Sequence, residues 1–347
     1  MANKGKKRRA CFSGIGGQAV LEGIMMKNKD KYAVAVRKPN GEIEVDIDEF
    51  QGIAKGSIFK QLPFFRGVFN FIDSLTLGMK SINYSASFYE EEADKETRVD
   101  KALNKIFKDK AERVLTGFVT FISVCLAIAM FILLPYYLTA YFTKDFRNET
   151  YVALIEGLIR VAVFILYVVG ISFNKDIKRV YKYHGAEHKC INCIEHGHEL
   201  TVENVLRSSR LHKRCGTSFM LLVVLISIIL FFFIRVESPI ERVVIRLLLI
   251  PVIAGIAYEF IRLAGRSNNV FVKIISASGM LLQKITTKEP DSQMVEVAIA
   301  AVEAVFDWKD FLTEKFPGKV SDDIKTDEDS ENNTEANVTG DSEETEV

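Results

Sequence analysis

Four long apolar runs constrain this chain more than any other feature: VLTGFVTFISVCLAIAMFILLPYYLTAYF (114–142), YVALIEGLIRVAVFILYVVGISF (151–173), SFMLLVVLISIILFFFI (218–234) and VVIRLLLIPVIAGIAYEFIRL (243–263). Each approaches the ~20 residues that carry a helix across the hydrocarbon core of a bilayer. The first is the most uniformly apolar; the second and fourth carry charges. Short connections, 143–150 and 235–242, join the runs into two hairpins of adjacent spans. The alternative is a set of helices buried in one large soluble core. The composition, 48% hydrophobic with 26% charged, shows that apolar and charged residues are segregated along the chain. A transporter is disfavoured, because four spans without inward-facing polar runs offer no lined pathway.

Lys and Arg beside short connections mark the cytosolic side of a membrane protein. The 174–217 connection carries Lys175, Lys178, Arg179, Lys182, Lys189, Arg207, Arg210, Lys213 and Arg214, whereas 143–150 has only Lys144 and Arg147. The N-terminus, the central loop and the C-terminus are therefore expected in the cytosol, and the chain in the cell membrane as a multi-pass protein. The opening lacks a secretory pattern, which agrees with that orientation. Five cysteines, at 11, 125, 190, 193 and 215, are then kept reduced, as free or metal-facing thiols. Charges inside the runs need partners. Glu156 and Arg160 are spaced to pair on one helical face, and Glu259 falls near the cytosolic end of the fourth run, within reach of the central loop.

The expected fold class is an α-helical polytopic membrane protein of about four transmembrane helices, with a small N-terminal β-containing cytosolic region and an interfacial helix. Residues 1–12 form a basic disordered N-terminus and 318–347 an acidic disordered tail with almost nothing to bury. Within 13–60, YAVAVRKPNGEIEVDIDEF alternates apolar residues around a Pro-Asn-Gly turn and predicts a hairpin. Gly14, Gly16 and Gly17 before it suggest a tight turn or a close backbone approach; the P-loop ending is missing. Residues 61–112 divide into an aromatic-rich amphipathic helix suited to the membrane interface and a charged segment. The four-span domain covers 113–265 with the loop 174–217, and 266–317 is a cytosolic helical segment.

That loop holds every histidine of the chain. RVYKYHGAEHKCINCIEHGHEL (179–200) contains four of the five, and His212 follows. In HGAEH, His184 and His188 are four apart, so a helix points both to one side where they can share a metal ion. Glu187 beside them can reach a water that the metal activates, as in the H-x-x-E-H zinc-peptidase signature. Cys190, Cys193, Glu195, His196, His198, His212 and Cys215 add nitrogen, oxygen and sulfur groups suited to Zn2+. Two metal readings stand open. In a closed structural site Cys190 and Cys193 form half a zinc knuckle; in an open site His184 and His188 take a third ligand from elsewhere and leave room for water. A polar surface loop is the reading without metal.

The stretches GIGGQAVLEGIMMK, RGVFNFIDSLTLGMKSINYSA, YHGAEHKCINCIE, LTVENVLRSSRLHKRCGTSF and SASGMLLQKITTKEPDSQMVEVAIAAVEAVF resemble, in this order, blocks of the bacterial YqhQ-like family (domain of unknown function 1385). The resemblance spans about residues 13 to 308. It implies a polytopic membrane protein with a metal site, of the kind described as metal-dependent membrane enzymes, and no established substrate. By position it emphasises His184, Glu187, His188, Glu195 and the Arg214, Cys215, Gly216, Thr217 segment. Cys190 and Cys193 fall outside the family pattern, and Lys213 stands where Pro is common. The implied ligands are His184, His188, Glu195 or His212, and Cys215.

These readings lead to a zinc-dependent hydrolase at the cytosolic membrane face. Glu187 is the expected general base, Glu195 or Glu259 a third ligand or supporting carboxylate, and Arg214 a group that polarises a substrate oxygen. The expected partners are the lipid bilayer and a peptide or lipid-linked substrate, with no nucleic acid. The alternative is a non-catalytic membrane scaffold whose metal folds the loop.

Overall fold

The computed structural model describes residues 10–53, 56–58, 61–89, 111–146, 148–234, 238–266 and 269–317. The expectations for residues 1–9, for the charged segment 90–110 and for the acidic tail 318–347 lie outside these residues.

The predicted hairpin is present as β3 (Lys31–Arg37) and β4 (Ile43–Glu49), and it is half of a larger sheet. The glycine-rich stretch before it forms β1 (Gly16–Val20) and β2 (Gly23–Asn28), giving an antiparallel meander in the order β1-β2-β3-β4. Alternation along β2 and β3 divides the side chains between two faces. Ile24, Met26, Ala33 and Ala35 enter one core; Met25, Tyr32, Val34 and Val36 enter another, with Leu77 from α1 (Phe65–Ser87).

The first apolar run is α2 (Ala111–Ile128), a π turn over Ala129–Leu133, and α3 (Leu134–Phe142). The wide turn precedes Pro135, which has no N–H to return to the preceding turn. The second run is α4 (Glu149–Ile171). The central connection, read from the sequence as a loop, is mostly helical: α5 (Lys175–Glu195) and α6 (Val202–Arg207). Asn174 starts α5 by accepting from the N–H groups of Asp176 and Ile177. Hydrogen bonds from Gly197 N–H to the Ile194 carbonyl and from His198 N–H to the Cys193 carbonyl stop it.

The third run is α7 (Gly216–Phe233). The fourth is broken at Leu249 into α8 (Pro239–Leu248) and α9 (Ile250–Arg266), because Pro251 cannot donate to the Leu247 carbonyl. Then come α10 (Val270–Thr286), α11 (Ser292–Val305) and α12 (Trp308–Lys315). Among the described residues, four stretches are long and apolar enough to cross a membrane: Gly117–Phe142, Thr150–Ile171, Gly216–Phe233 and Val243–Leu263. They leave large apolar side chains uncovered, Leu158 at 72% and Phe233 at 75% exposure among them.

The Glu156–Arg160 pair expected within the second apolar run is present with an added member. Arg160 donates to Glu156 Oε1 at 2.6 Å, and Arg246 of α8 pairs with the same oxygen. Both guanidiniums lie 4.9 Å from the Phe231 ring.

The segments 13–60, 174–217 and 266–317 contribute residues to one shared core. One face of the sheet, α5 and α11 close around a single core that includes Ile24, Tyr183, Ile191, Ile194, Ala298 and Val302. Each fully buried side chain of this size contributes about 1.5–3 kcal/mol, so the core couples segments more than 250 residues apart. The opposite face of the sheet carries α1, which also packs on α9. A Cβ at Gly67 would lie 2.9 Å from Tyr258 Cβ and 3.0 Å from the Gly255 backbone, so the two helices meet at paired glycines.

Candidate metal centre

The helical state of α5 decides which way each of its side chains points. At about 100° per residue, His184, His188 and Glu195 share a narrow arc, Glu187 lies about 60° aside, and Cys193 faces opposite to His184. Tyr183, Ala186, Cys190, Cys193 and Ile194 accordingly enter the core behind the helix. Cys193 Sγ donates to the Glu199 carbonyl at 3.2 Å, and burial pushes the Cys190 thiol well up from its usual range. The knuckle reading of Cys190 and Cys193 is not supported: the pair is turned away from the histidines.

His184 Nδ1 lies 3.0 Å from the Thr286 carbonyl oxygen, and His188 Nδ1 lies 2.7 Å from that of Arg210. A carbonyl oxygen only accepts, so each Nδ1 carries a proton, and in the neutral ring Nε2 is the nitrogen left with a lone pair. His184 Nε2 is 3.1 Å from Cys215 Sγ. One ligand atom from each of His184, His188 and Cys215 lies within 4.8 Å of the other two. Metal-binding histidines are generally held in this way, with the remote nitrogen on a carbonyl. Two imidazole nitrogens and a thiol sulfur form a donor set that fits Zn2+. Cys215 is placed by the start of α7, where its Sγ caps the Thr217 N–H at 3.4 Å.

Glu195 and His212 lie next to this triad and are engaged elsewhere. Glu195 accepts from the Ser13 N–H at 2.9 Å and the Ser13 hydroxyl at 2.8 Å, and pairs with Arg214. Its second oxygen is 3.6 Å from His212 Nε2. Burial acts to raise the Glu195 carboxyl, but the His212 hydrogen bond, the Arg214 charge and the Ser13 amide outweigh it and bring it to about 2. Burial holds the His212 imidazole below its ordinary range, and the Arg214 charge adds to this against the bond to Glu195. The His188 and His212 ring centres are 5.6 Å apart, so the Glu195, His212 and Arg214 unit backs the triad.

Two further residues differ in placement from the sequence expectation. Arg214, expected to face substrate, is committed to Glu195 and stacks over Phe12 at 4.1 Å. Glu259, expected within reach of the cluster, is held by Arg66 at 2.6 Å and 2.5 Å across the α1–α9 contact.

Glu187 is buried beside β1. Burial raises its carboxyl above the usual range, and the His184 charge and a hydrogen bond from the Gly17 N–H offset part of this. A Cβ at position 17 would lie 2.6 Å from the Met25 carbonyl oxygen and 3.1 Å from Glu187 Cδ, so this approach needs glycine. A cavity of about 780 Å3 opens here, bounded by β1, His184 and Glu187 of α5, Asn70 and Leu77 of α1, Thr217 and Met220 of α7, and Tyr258 of α9.

Sequence reasoning missed Gln283. It is fully buried on α10 and holds the backbone of His212 at both ends: its Oε1 accepts the His212 N–H at 2.9 Å, and its Nε2 donates to the His212 carbonyl at 2.7 Å. A polar residue inside an apolar helix was its one signal. Gln283→Ala leaves both backbone groups without these partners, and a loss of about 2 kcal/mol is expected, read as a lower midpoint in thermal unfolding of the detergent-purified protein.

Residues 62–308 match the family described as "Protein of unknown function (DUF1385)". The chain belongs to this family. It is 34% identical over 291 residues, 82% of this chain and 89% of the relative, to "Uncharacterized protein YqhQ" of Bacillus subtilis (strain 168). No solved structure matches. Family membership covers β-sheet-facing α1 through α11 and supplies no activity, so the chemistry of the centre is argued from its own residues.

Proposed function

We propose that this DUF1385 chain is an integral membrane protein with a Zn2+ centre on His184, His188 and Cys215, and that it is a hydrolase acting at the cytosolic face of the bilayer. The convergence of these three residues carries the reading, because both imidazoles are held at Nδ1 by backbone carbonyls and His184 Nε2 lies 3.1 Å from Cys215 Sγ. Three protein ligands among the described residues would hold the ion and would leave room for a water or substrate oxygen, as in catalytic zinc sites. A closed scaffold site takes four.

The exposed apolar flanks of the four long helices suit a lipid environment. α7 begins at Gly216, directly after Cys215, so the centre lies at the end of a span on the side that carries the excess of Lys and Arg.

When bound, Zn2+ supplies Lewis-acid polarisation of a carbonyl or phosphoryl oxygen. Glu187 holds or takes the proton: it lies on the cavity wall beside His184, and its desolvated carboxyl is shifted toward the range useful to a general acid or base. Arg214 fixes Glu195, which supports His212 behind the ligand His188.

The test compares Glu187→Gln with the parent chain after purification in detergent. The variant is expected to retain stoichiometric zinc and to lose about 100-fold or more of its hydrolytic or cellular activity. Full activity in Glu187→Gln would favour the scaffold, and a parent chain without zinc would remove the metal assignment.

A further inference from the structure

We propose that the cavity receives an extended peptide that pairs with the free edge of β1, which makes a polypeptide the substrate class of the centre. The inference rests on the hydrolytic reading for its chemistry, while the peptide-binding edge stands on its own geometry.

β1 pairs with β2 alone among the described residues, and the sheet order leaves its other side open. That side faces the cavity, with Gly14, Gly16, Gly17, Gln18 and Ala19 along it. Val20 and Gly23 flank the two-residue turn between β1 and β2 and form a hydrogen-bonded pair, so Gln18 and Gly16 also bond β2 and Gly17 turns its N–H away from the ladder. In an antiparallel ladder a residue directs its N–H and C=O to one side and the next residue directs them to the other. Ala19 therefore turns both of its backbone groups the same way as Gly17. Among the described residues no other element hydrogen-bonds them.

An open edge of this kind is normally blunted by Lys, Pro or a covering element. The stretch GIGGQAV (14–20) carries neither charge nor proline. Its glycines keep the space beside the backbone clear, and α1 and α5 stand on either side of it as walls. A strand added at this edge would run about 4.8 Å from β1. An extended peptide added at this edge would pair with the outward backbone groups of Ala19. A lipid acyl chain in the same place would bury the Ala19 groups without partners, which is unfavourable.

The same edge carries the reactive groups. Gly17, two residues before Ala19, is bonded to Glu187, so a peptide paired along β1 runs beside that carboxylate and His184. In the cleavage step the oxygen of water forms a bond to the peptide carbonyl carbon and the C–N bond breaks. Glu187 takes a proton from the water and passes it to the departing nitrogen, leaving a carboxylate and an amine.

The test uses the full chain in lipid nanodiscs and a pool of random-sequence peptides bearing a benzophenone photo-crosslinker. Crosslinks are expected to map by mass spectrometry to residues 14–19 and the walls of the cavity. Ala19→Pro removes one outward N–H at a position where an edge strand tolerates proline; crosslinking should fall at least tenfold, while Ala19→Ser retains it and zinc content stays constant. A pool methylated on its backbone nitrogens should likewise fail with the parent chain, which tests the pairing without altering the protein. Unchanged crosslinking in Ala19→Pro and with the methylated pool overturns the edge pairing, as does labelling only by a photoreactive phospholipid. Peptide capture by a chain that holds no zinc leaves the edge assigned and removes the hydrolytic reading; zinc without capture does the reverse.

Discussion

Gly185→Ala is expected to be the most damaging single methyl group in this protein. The added Cβ would lie 2.0 Å from the Lys288 carbonyl oxygen and 3.2 Å from its carbonyl carbon, both backbone atoms that cannot swing aside. The segment following α10 lies against α5 at this point, tied by Lys288 N–H donating to the Tyr181 carbonyl at 2.9 Å. It also carries the Thr286 carbonyl that holds His184, and Glu289, which pairs with Lys189 at 3.0 Å and Arg210 at 3.1 Å. Lifting the segment by an ångström disturbs all of these together. A loss of about 3 kcal/mol or more is expected, at or above the upper end for overpacking. Zinc affinity should fall about 10- to 100-fold through the loosened His184. Thermal unfolding and zinc titration of the purified variant measure the two effects, and a midpoint equal to that of the parent would refute the packing argument.

Loss of a ligand should exceed any such indirect effect on the metal. His188→Ala removes one of three converging groups and is expected to lower zinc affinity by more than about 100-fold, beyond what supporting residues contribute. Because His188 is only 1% exposed, its deletion also opens a void and strands the Arg210 carbonyl, costing about 2–4 kcal/mol. Cys215→Ser separates the two consequences. Serine is itself a good N-cap, so the start of α7 survives while the thiol donor is lost. Zinc should leave this variant with little change in thermal stability. Cys190→Ala and Cys193→Ala should keep their zinc, since both thiols belong to the core behind α5. Zinc content by elemental analysis, set beside unfolding midpoints for the four variants, decides whether His188 and Cys215 act as ligands while Cys190 and Cys193 do not.

HGAEH was recognisable from spacing alone, whereas the emphasis on the Arg214–Cys215 segment came only from the family resemblance. The direction of Cys193 was also available in principle, since nine residues along a helix from His184 is about half a turn out of phase. It was obscured by reading 174–217 as a loop, a natural reading for a polar stretch of low hydropathy between apolar runs. Its helical state comes from capping by Asn174 and from the core that Tyr183, Ile191 and Ile194 enter, and that core is assembled from distant segments. Glu259 shows the converse limit. Its position near the end of the fourth run was read correctly, but its partner Arg66 lies 193 residues away, and nothing local marks such a pair.

The sequence by itself determined the four apolar helices, the β3–β4 hairpin and the pairing of Glu156 with Arg160. These depend on composition, turn residues and helical spacing, all of which act over a few residues. Only the tertiary structure decided which of the gathered histidines, carboxylates and thiols face one another. The tautomers of His184 and His188 are set by the carbonyls of Thr286 and Arg210, 102 and 22 residues away, and backbone carbonyls are present at every position. Glu187 reaches the cavity because Gly17 lets β1 approach it. Such contacts carry no signature in a linear pattern, since they arise from close packing of segments that the chain brings together only once it has folded.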